Sequence, residues 1–520
     1  MQTYTTSAQP SVESQSHSRR SFLPPWLPIA MILLLACGLY LYQLGDKSLW
    51  LDELISVEDV KTGEGLPPHN LVRPLYFLFL TPWLKLGGTG DAWLRGLSVI
   101  FAIGSVYFLY HLGWHLVGKT EGLLAALLLA LSPLFIRHAQ EVRMYTLSTC
   151  LGIAGTLVLV YALENPRPRR VWGWAMLRFL ALLTTPLNAC LFLPDVGIIF
   201  GNFRRDRPAL GKFALGLVGI GLLWLPFLMG TMMATVSYST SGHVQSAVVP
   251  GIEEFIRQLR SFTVWPFYTQ VNPIIALGYK LFTFGMWFVI AFTLIGKKQS
   301  GKIWWLAAWA LLPLTQMFVA SQFSFSIWVD RYLLLACPYI LLLLGVGIVK
   351  IVVRWRLFGL IILLSYLLAL AGGLNYHYHH QADNDSRGRD YRAMVEIINT
   401  NEKQGDVIVM SIRHENPRLP LNHYYRGEAE IEFTSGVPAA RNVTTAQIDG
   451  WLDNLPSNPS RLWLMCWLSP RNTELFNSLL QERFQVSLHQ AFPTYKGKST
   501  IDVFLVTPKI QQRLSRLENF

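Results

Sequence analysis

Ser48-Leu49-Trp50-Leu51-Asp52-Glu53 follows closely on an apolar run over residues 26–44, long enough to cross a bilayer. Two adjacent carboxylates therefore stand at the exit of a membrane helix. Trp50 lies beside them, where aromatic side chains settle at headgroup level. A bare acidic pair at such an exit is ordinarily a solvated loop. The rest of the chain gives this pair its weight.

Of 520 residues, 52% are hydrophobic, 13% aromatic and 15% charged. Average soluble domains carry about 25% charge, so the composition is that of a polytopic membrane protein, all-α where it spans. The net charge of +12 invites a nucleic-acid partner. The basic residues are instead portioned out between apolar runs, the pattern by which membrane proteins set orientation; membrane lipids, not nucleic acid, are the expected surroundings. Cys37, Cys150, Cys190, Cys337 and Cys466 are scattered without CxxC spacing, which gives neither a disulfide framework nor a zinc site.

Residues 1–23 open Ser/Thr/Gln-rich and read as a disordered cytoplasmic N-terminus. At their end Ser18-Arg19-Arg20-Ser21-Phe22-Leu23 has the look of a twin-arginine export signal, and Leu35-Ala36-Cys37-Gly38, in the first apolar run, that of a lipoprotein cleavage box. The simpler reading is a pair of arginines holding an uncleaved first helix by its cytoplasmic end, because many spans follow in the same register.

Apolar runs of about bilayer length fall at 26–44, 91–117, 122–136, 143–163, 171–185, 187–202, 212–231, 272–296, 303–320, 329–349 and 355–374. That makes eleven spans within a transmembrane domain over 24–375. The run 74–86 is shorter and interrupted by Pro82, and reads as a helix lying along the surface. Four linkers are strongly basic: Arg167/Arg169/Arg170, Arg204/Arg205/Arg207/Lys212, Lys297/Lys298/Lys302 and Lys350/Arg354/Arg356. With eleven spans all four share the side of Arg19-Arg20, which the positive-inside rule makes cytoplasmic. The loops 45–90, 137–142, 232–271 and 321–328, the turn at Pro186 and everything beyond 375 then face outside.

Those outer loops carry the chemistry. The first holds Asp46, Asp52, Glu53, Glu58, Asp59 and Glu64, then His69 and Arg73. The second is Arg137-His138-Ala139-Gln140-Glu141-Val142-Arg143-Met144-Tyr145, and the last before the tail ends in Trp328-Val329-Asp330-Arg331-Tyr332. The loop at 232–271 adds Tyr238, Glu253, Glu254, Arg257, Arg260, Trp265 and Tyr268. Ionisable groups at membrane depth cost about 2.5–3.5 kcal/mol each at a helix centre. At a helix end an arginine can instead snorkel. Taken together, carboxylates and guanidiniums collect on one face of the membrane.

Residues 376–520 read as a small α/β extracytoplasmic domain. Tyr391 to Thr400 has helical spacing, 406–410 and 461–467 read as strands, 472–482 as a helix, and 484–490 and 501–506 as strands. It holds neither GxGxxG nor a P-loop. Asp383-Asn384-Asp385 spells the DxD with which nucleotide-sugar enzymes hold a divalent metal, beside His377, Tyr378, His379 and His380. The stretch has the composition of a linker, so no clear metal site emerges and the cofactor is unknown, a divalent metal remaining open.

Trp50-Leu51-Asp52-Glu53, Arg73-Pro74-Leu75-Tyr76, Gln140-Glu141-Val142-Arg143-Met144-Tyr145 and Arg331-Tyr332-Leu333-Leu334 before Pro338 occur in this order. Together they resemble the membrane glycosyltransferases of the GT-C type, in the bacterial branch related to protein O-mannosyltransferases and to the aminoarabinose transferase of lipid A. The resemblance covers the first two-thirds of the chain. Asp390-Tyr391-Arg392 followed by Gly405-Asp406-Val407-Ile408 is similar to the opening of the outer domain in such proteins. Val72 stands where relatives often have a carboxylate or histidine, and Thr184-Thr185-Pro186-Leu187-Asn188 where many have Thr-His-Tyr.

The resemblance implies transfer of a sugar from a polyprenyl phosphate to a glycan, lipid or protein acceptor at the outer face of a bacterial cytoplasmic membrane, by an inverting single displacement. A sugar hydroxyl has a pKa far above neutral, so a carboxylate base assists its attack. Asp52 suits that role, with Glu53 as a structural or acceptor-positioning partner. The leaving phosphate needs charge stabilisation, which arginines supply through charge-assisted, often bidentate contacts. Arg143 and Arg331 are the candidates, with Tyr145, Tyr332 and Arg137 beside them. Arg73, Tyr76, His138 and Glu141 are candidate acceptor or sugar contacts.

A polyprenyl-glycan flippase or transporter would place ionisable residues inside the spans and show repeated halves, whereas here the charges read as sitting at loop ends. An O-antigen ligase or polymerase would share the outer arginines, with less need of an Asp-Glu pair at the first helix exit. The orientation is open to test. Reporters active only in the cytoplasm or only outside, fused after Phe520 and within 204–207, should report opposite sides; the same side from both would break the eleven-span alternation.

Overall fold

The computed structural model describes residues 24–61, 73–240, 249–264, 273–295, 301–323, 326–379, 390–412, 418–435, 443–456, 459–468, 470–493 and 500–509. The N-terminal 1–23, the Asp383-Asn384-Asp385 motif, His380, Glu64, His69, Trp265 and Tyr268 lie outside them.

In hydrocarbon a backbone must satisfy its own hydrogen bonds, which an apolar run does by becoming a helix. Among the described residues 8 helices are long and apolar enough to span: Asp91–Leu116, Tyr145–Glu164, Pro186–Phe203, Arg207–Leu228, Ala276–Leu294, Gly301–Phe323, Asp330–Arg354 and Arg356–His379. The run at 122–136 is a helix pair, Lys119–Ala130 and Pro133–Ala139, bent by 62°. Pro133 lacks the N–H that would continue the first helix, and Ser132 caps the second by accepting from the Phe135 N–H. The bend turns Arg137 and His138 off the axis of the span.

The two remaining runs are the helices Leu27–Leu41 and Pro168–Leu182, each 15 residues. At 1.5 Å per residue they reach about 22 Å, less than the roughly 30 Å hydrocarbon core. All eleven expected segments are therefore helical, though not all are full spans by length. Pro74–Gly87 is the expected short helix, with Pro82 inside it. Asp91–Leu116 packs against both Lys119–Ala130 and Tyr145–Glu164. Its Gly113 lies so close to Gly122 that an added Cβ would come within 2.6 Å of the Gly122 Cα; small residues permit such backbone contact between membrane helices.

The charges are not confined to loop ends. Arg178 on Pro168–Leu182 and Asp195 on Pro186–Phe203 are both fully buried and paired at 2.7 Å. This corrects the expectation from the sequence. Asp195 also accepts from Trp174 Nε1 at 2.9 Å and Trp309 Nε1 at 2.8 Å. Arg178 donates to the Gly152 carbonyl at 2.8 Å and Thr156 Oγ1 at 2.9 Å, and Thr156 meets the Tyr339 hydroxyl at 2.7 Å. The pair thus laces together five helices, and its polar groups are consumed by the protein itself.

Among the described residues, the C-terminal domain holds a five-stranded mixed sheet in the order β2-β1-β3-β5-β4. β1 (Val407–Ile412) runs parallel to β2 (Glu430–Ser435) and to β3 (Leu462–Leu468), while β5 (Thr500–Pro508) pairs antiparallel with β3 and with β4 (Phe484–Pro493). Strand alternation sorts its side chains. Leu462, Leu464 and Cys466 point into a core with Trp451 of the helix Thr445–Asp453 and Phe476 of the helix Pro470–Arg483. Trp463 and Met465 point the other way, into a core that includes Met394, Val395 and Ile398 of the helix Tyr391–Asn401 and runs on without a break to Leu54 and Leu94 of the membrane domain. Where β1 and β3 begin, Asp406 binds Arg461 Nε at 2.8 Å and Trp463 Nε1 at 3.0 Å. Burial would raise this carboxyl, and Arg461 outweighs that to hold it below the usual carboxylate range. All five cysteines are free.

Breaking one partner of a buried ion pair strands the other. Asp195→Ala and Arg178→Ala should each destabilise the protein by about 3–5 kcal/mol, read from thermal or denaturant unfolding in detergent. The double variant should cost clearly less than the sum; additive effects would mean that the two groups are not coupled.

Candidate active site

The site is built on the helix Leu51–Lys61. Consecutive residues on a helix point about 100° apart, so Asp52 and Glu53 cannot share an environment. Glu53 turns inward and is 0% exposed, while the Asp52 side chain stays 30% exposed.

Glu53 meets Arg95 of the helix Asp91–Leu116, with Oε1 to Nε at 3.0 Å and Oε2 to Nη2 at 2.8 Å. Arg95 also donates to the carbonyls of Leu44 at 2.9 Å, Lys47 at 2.7 Å and Ser48 at 3.0 Å. Glu53 Oε1 further accepts the Val142 N–H at 2.8 Å, and Oε2 the Trp50 N–H at 3.0 Å. One carboxylate thereby fixes the Asp52 helix against the loop that ends in Arg143. Arg95 was not among the candidates read from the sequence. Its signal was there, as a cation one turn inside an apolar run, where an unpaired charge is costly.

Arg143 reaches back to the same helix, donating through Nη1 to the Asp52 carbonyl at 3.1 Å and to Ser56 Oγ at 2.8 Å. Its own carbonyl accepts from Ser98 Oγ at 3.1 Å, and Ser98 Oγ in turn meets the Tyr76 hydroxyl at 2.9 Å. Burial pushes that tyrosine well above its ordinary range, with Ser98 opposing, so it stays protonated. Arg331, 279 residues downstream of Asp52, places Nη1 3.4 Å from Asp52 Oδ2. Asp330 accepts the Arg331 N–H through Oδ1 at 2.8 Å.

The guanidiniums of Arg143 and Arg331 stand 5.8 Å from the Tyr145 ring centroid and 5.4 Å from that of Tyr332. The two rings meet edge to face at 6.5 Å. The structure therefore brings Asp52, Arg143, Tyr145, Arg331 and Tyr332 together from three distant stretches. Arg143 Nε and Arg331 Nε are buried without a hydrogen-bond partner among the described residues. Two guanidinium edges thus keep donors in hand beside one half-exposed carboxylate, a field suited to an anion.

The remaining candidates flank this group. Arg137 and His138 act electrostatically on Asp330. Tyr76, His138 and Glu141, expected as acceptor or sugar contacts, are buried at 1%, 0% and 4% exposure. His138 Nδ1 lies 3.3 Å from Glu141 Oε2, and its ring meets Tyr145 at 5.4 Å. These three back the site from behind instead of lining an open face. Arg73 is half-buried at the N-terminal cap of Pro74–Gly87.

Among the described residues no group of three or more His, Cys, Asp or Glu side chains could hold a metal ion. Asp52 faces two guanidiniums, a setting that does not fit a divalent cation.

The fold is that of the GT-C type. Residues 68–229 match the family described as dolichyl-phosphate-mannose-protein mannosyltransferase. The chain superposes on apo ArnT from Cupriavidus metallidurans with a TM-score of 0.58 at 12% identity, covering 92% of this chain and 97% of that one. ArnT bound to undecaprenyl phosphate gives 0.54 at 12% identity, covering 92% and 98%. The archaeal oligosaccharyltransferase AglB from Archaeoglobus fulgidus, in complex with an inhibitory peptide and a dolichol-phosphate, gives 0.54 at 11% identity, covering 85% and 69%. No curated protein matches the sequence.

Proposed function

We propose that the chain is a glycosyltransferase that moves a sugar from a polyprenyl-phosphate donor to an acceptor hydroxyl at the outer face of the bacterial cytoplasmic membrane. One observation carries this reading: a half-exposed carboxylate, Asp52, adjoins two arginines whose buried Nε–H groups have no hydrogen-bond partner among the described residues. That arrangement supplies a base and an anion cradle side by side. Support also comes from the fold, shared with an ArnT that binds undecaprenyl phosphate and an AglB in complex with a dolichol-phosphate.

In the reaction Asp52 accepts the proton of the acceptor hydroxyl while its oxygen forms a bond to the anomeric carbon. The bond from that carbon to the phosphate oxygen breaks, and polyprenyl phosphate departs with the electron pair. Arg143 and Arg331 hold the phosphate as its charge grows, and the Tyr145 and Tyr332 hydroxyls are placed to join them. Attack from the face opposite the phosphate inverts the anomeric centre. Arg137 is a further candidate for the phosphate, and Arg73 for the acceptor or sugar. Glu53, committed to Arg95, positions Asp52 without taking part in proton transfer. The in-span pair Arg178–Asp195 does not favour a transporter, since its hydrogen bonds are taken up by the protein.

Asp52→Asn keeps size and hydrogen bonding but removes the negative charge. Sugar transfer, followed by mass spectrometry of glycolipids and glycoproteins in cells carrying only the variant, should fall by about 10²–10⁴. Activity within a few fold of wild type removes Asp52 from the mechanism.

The phosphate site is tested separately by undecaprenyl phosphate binding to Arg143→Lys, Arg331→Lys and the double variant. Lysine keeps the charge but not the planar fork, so each single change should weaken binding. Because both arginines serve one phosphate, the changes should be non-additive. Small, additive effects would mean two membrane anchors.

A further inference from the structure

The Asp52 helix is gripped from outside the membrane domain, and the grip converges on one carboxylate. Asp91, the first residue of Asp91–Leu116 and 8% exposed, stands one turn before Arg95. Its oxygens accept from the Tyr424 hydroxyl at 2.7 Å, from His423 Nε2 at 3.2 Å and from Arg392 Nη2. All three partners belong to the outer domain, on the helices Tyr391–Asn401 and Arg418–Tyr424.

The same side chains then take hold of the segment leading into Asp52. The Tyr424 hydroxyl accepts the Leu49 N–H at 2.7 Å, three residues before Asp52. Arg392 donates to the Gly45 carbonyl at 2.8 Å, and the Tyr391 N–H to Ser48 Oγ at 3.2 Å. The far end of the helix is held as well. His423 Nδ1 meets Lys61 Nζ at 3.3 Å, and Asn422 donates to Glu58 Oε1 at 2.9 Å. Burial presses the Lys61 ammonium below its ordinary value, Glu58 opposing and Arg426 reinforcing. His423 thus bridges Asp91 through Nε2 and Lys61 through Nδ1.

Resting on the reading of Asp52 as the base, we propose that Tyr424 and Arg392 are positioning residues: through Asp91 and the backbone at 45–49 the outer domain sets where the Asp52 carboxylate stands. Neither residue touches the reacting atoms. Arg95 anchors the carbonyls of Leu44, Lys47 and Ser48 from the membrane side, and Tyr424 and Arg392 close the same segment from the outer side. The outer domain is then a working part of the catalytic apparatus, and its loss is felt in the chemical step and not in the capture of the lipid phosphate, which Arg143 and Arg331 hold.

Tyr424→Phe removes one oxygen and with it the bonds to Leu49 and Asp91. Arg392→Gln is a second variant at a part-exposed position, guarding against a failure to fold. Both are made in the full chain, with Asp52→Asn as reference. Initial transfer rates are measured across concentrations of the polyprenyl-phosphate lipid fraction from the host membrane, and backbone hydrogen exchange is followed over 45–61. Displacement of a reacting group by about 1 Å costs on the order of 10²-fold, so kcat should fall by about tenfold or more with KM for the lipid fraction unchanged. Exchange over 45–61 should rise in both variants. Wild-type kcat in both variants, with Asp52→Asn inactive, overturns the positioning role and leaves the site reading intact. A rise in KM at constant kcat, or a fall in kcat without faster exchange, also overturns it. Full transfer by Asp52→Asn overturns the site reading itself and this proposal with it.

Discussion

Everything around the Asp52 helix depends on Glu53 and Arg95. The guanidinium makes five hydrogen bonds, two to the carboxylate and three to the carbonyls of Leu44, Lys47 and Ser48. The chain leaving the first helix would otherwise carry unsatisfied carbonyls into a buried corner, an expensive state. Arg95 pays that cost once for the whole turn, and Glu53 supplies the charge that allows a guanidinium to be buried there. Because Glu53 also accepts the Val142 N–H, one ion pair aligns two loops that are 89 residues apart. Loss of either partner leaves a bare charge, worth about 3–5 kcal/mol, and releases both loops.

A second buried pair, Arg178 with Asp195, does the equivalent work at membrane depth. Its partners come from Gly152, Thr156, Trp174 and Trp309, so it sets which faces of those helices meet. Apolar packing alone specifies this poorly, since lipid tails are as apolar as the helices and give little drive to associate. The membrane half thus has one polar lock in its interior and one at its outer rim. The tyrosine and arginine pairs of the site lie beside the rim lock.

The membrane architecture was legible because hydrocarbon leaves so little choice. A run such as 143–163 can only be a helix, and the order of the acidic and arginine-bearing loops follows from counting runs. β1, β3, β4 and β5 were legible as apolar stretches between turns. β2 was not, because Glu430-Ile431-Glu432-Phe433-Thr434-Ser435 is short and charged on alternate residues. That is how an edge strand avoids further pairing, and it reads as loop. The bend at Pro133 was hidden within a continuous apolar run. In the site, Asp52, Arg143 and Arg331 were legible as residue types at helix ends, but their convergence was not. The burial of Tyr76, His138 and Glu141 was not legible, since it comes from packing against helices distant in the sequence. The Asp91 cluster is the least legible, as its partners Arg392, His423 and Tyr424 lie some 300 residues away in another domain.

The contrast between the two carboxylates follows from exposure. Glu53 and Arg95 meet at 2.8 Å with side chains 0% and 6% exposed, whereas Asp52 and Arg331 meet at 3.4 Å with 30% and 27%. A single 3.4 Å contact between partly exposed side chains is weak beside the buried pair, so Arg331 gives up little by leaving Asp52. A lipid phosphate offers the same guanidinium shorter, bidentate bonds in place of this one long contact. On the function proposed above, arrival of the phosphate draws Arg331 away and frees the carboxylate to take a proton. Glu53 cannot be drawn off in this way, because no solvent reaches it and four of its contacts would have to break together. One turn of helix thus presents a carboxylate fixed in place and another held loosely, and the fixed one keeps the loose one within reach of its arginines.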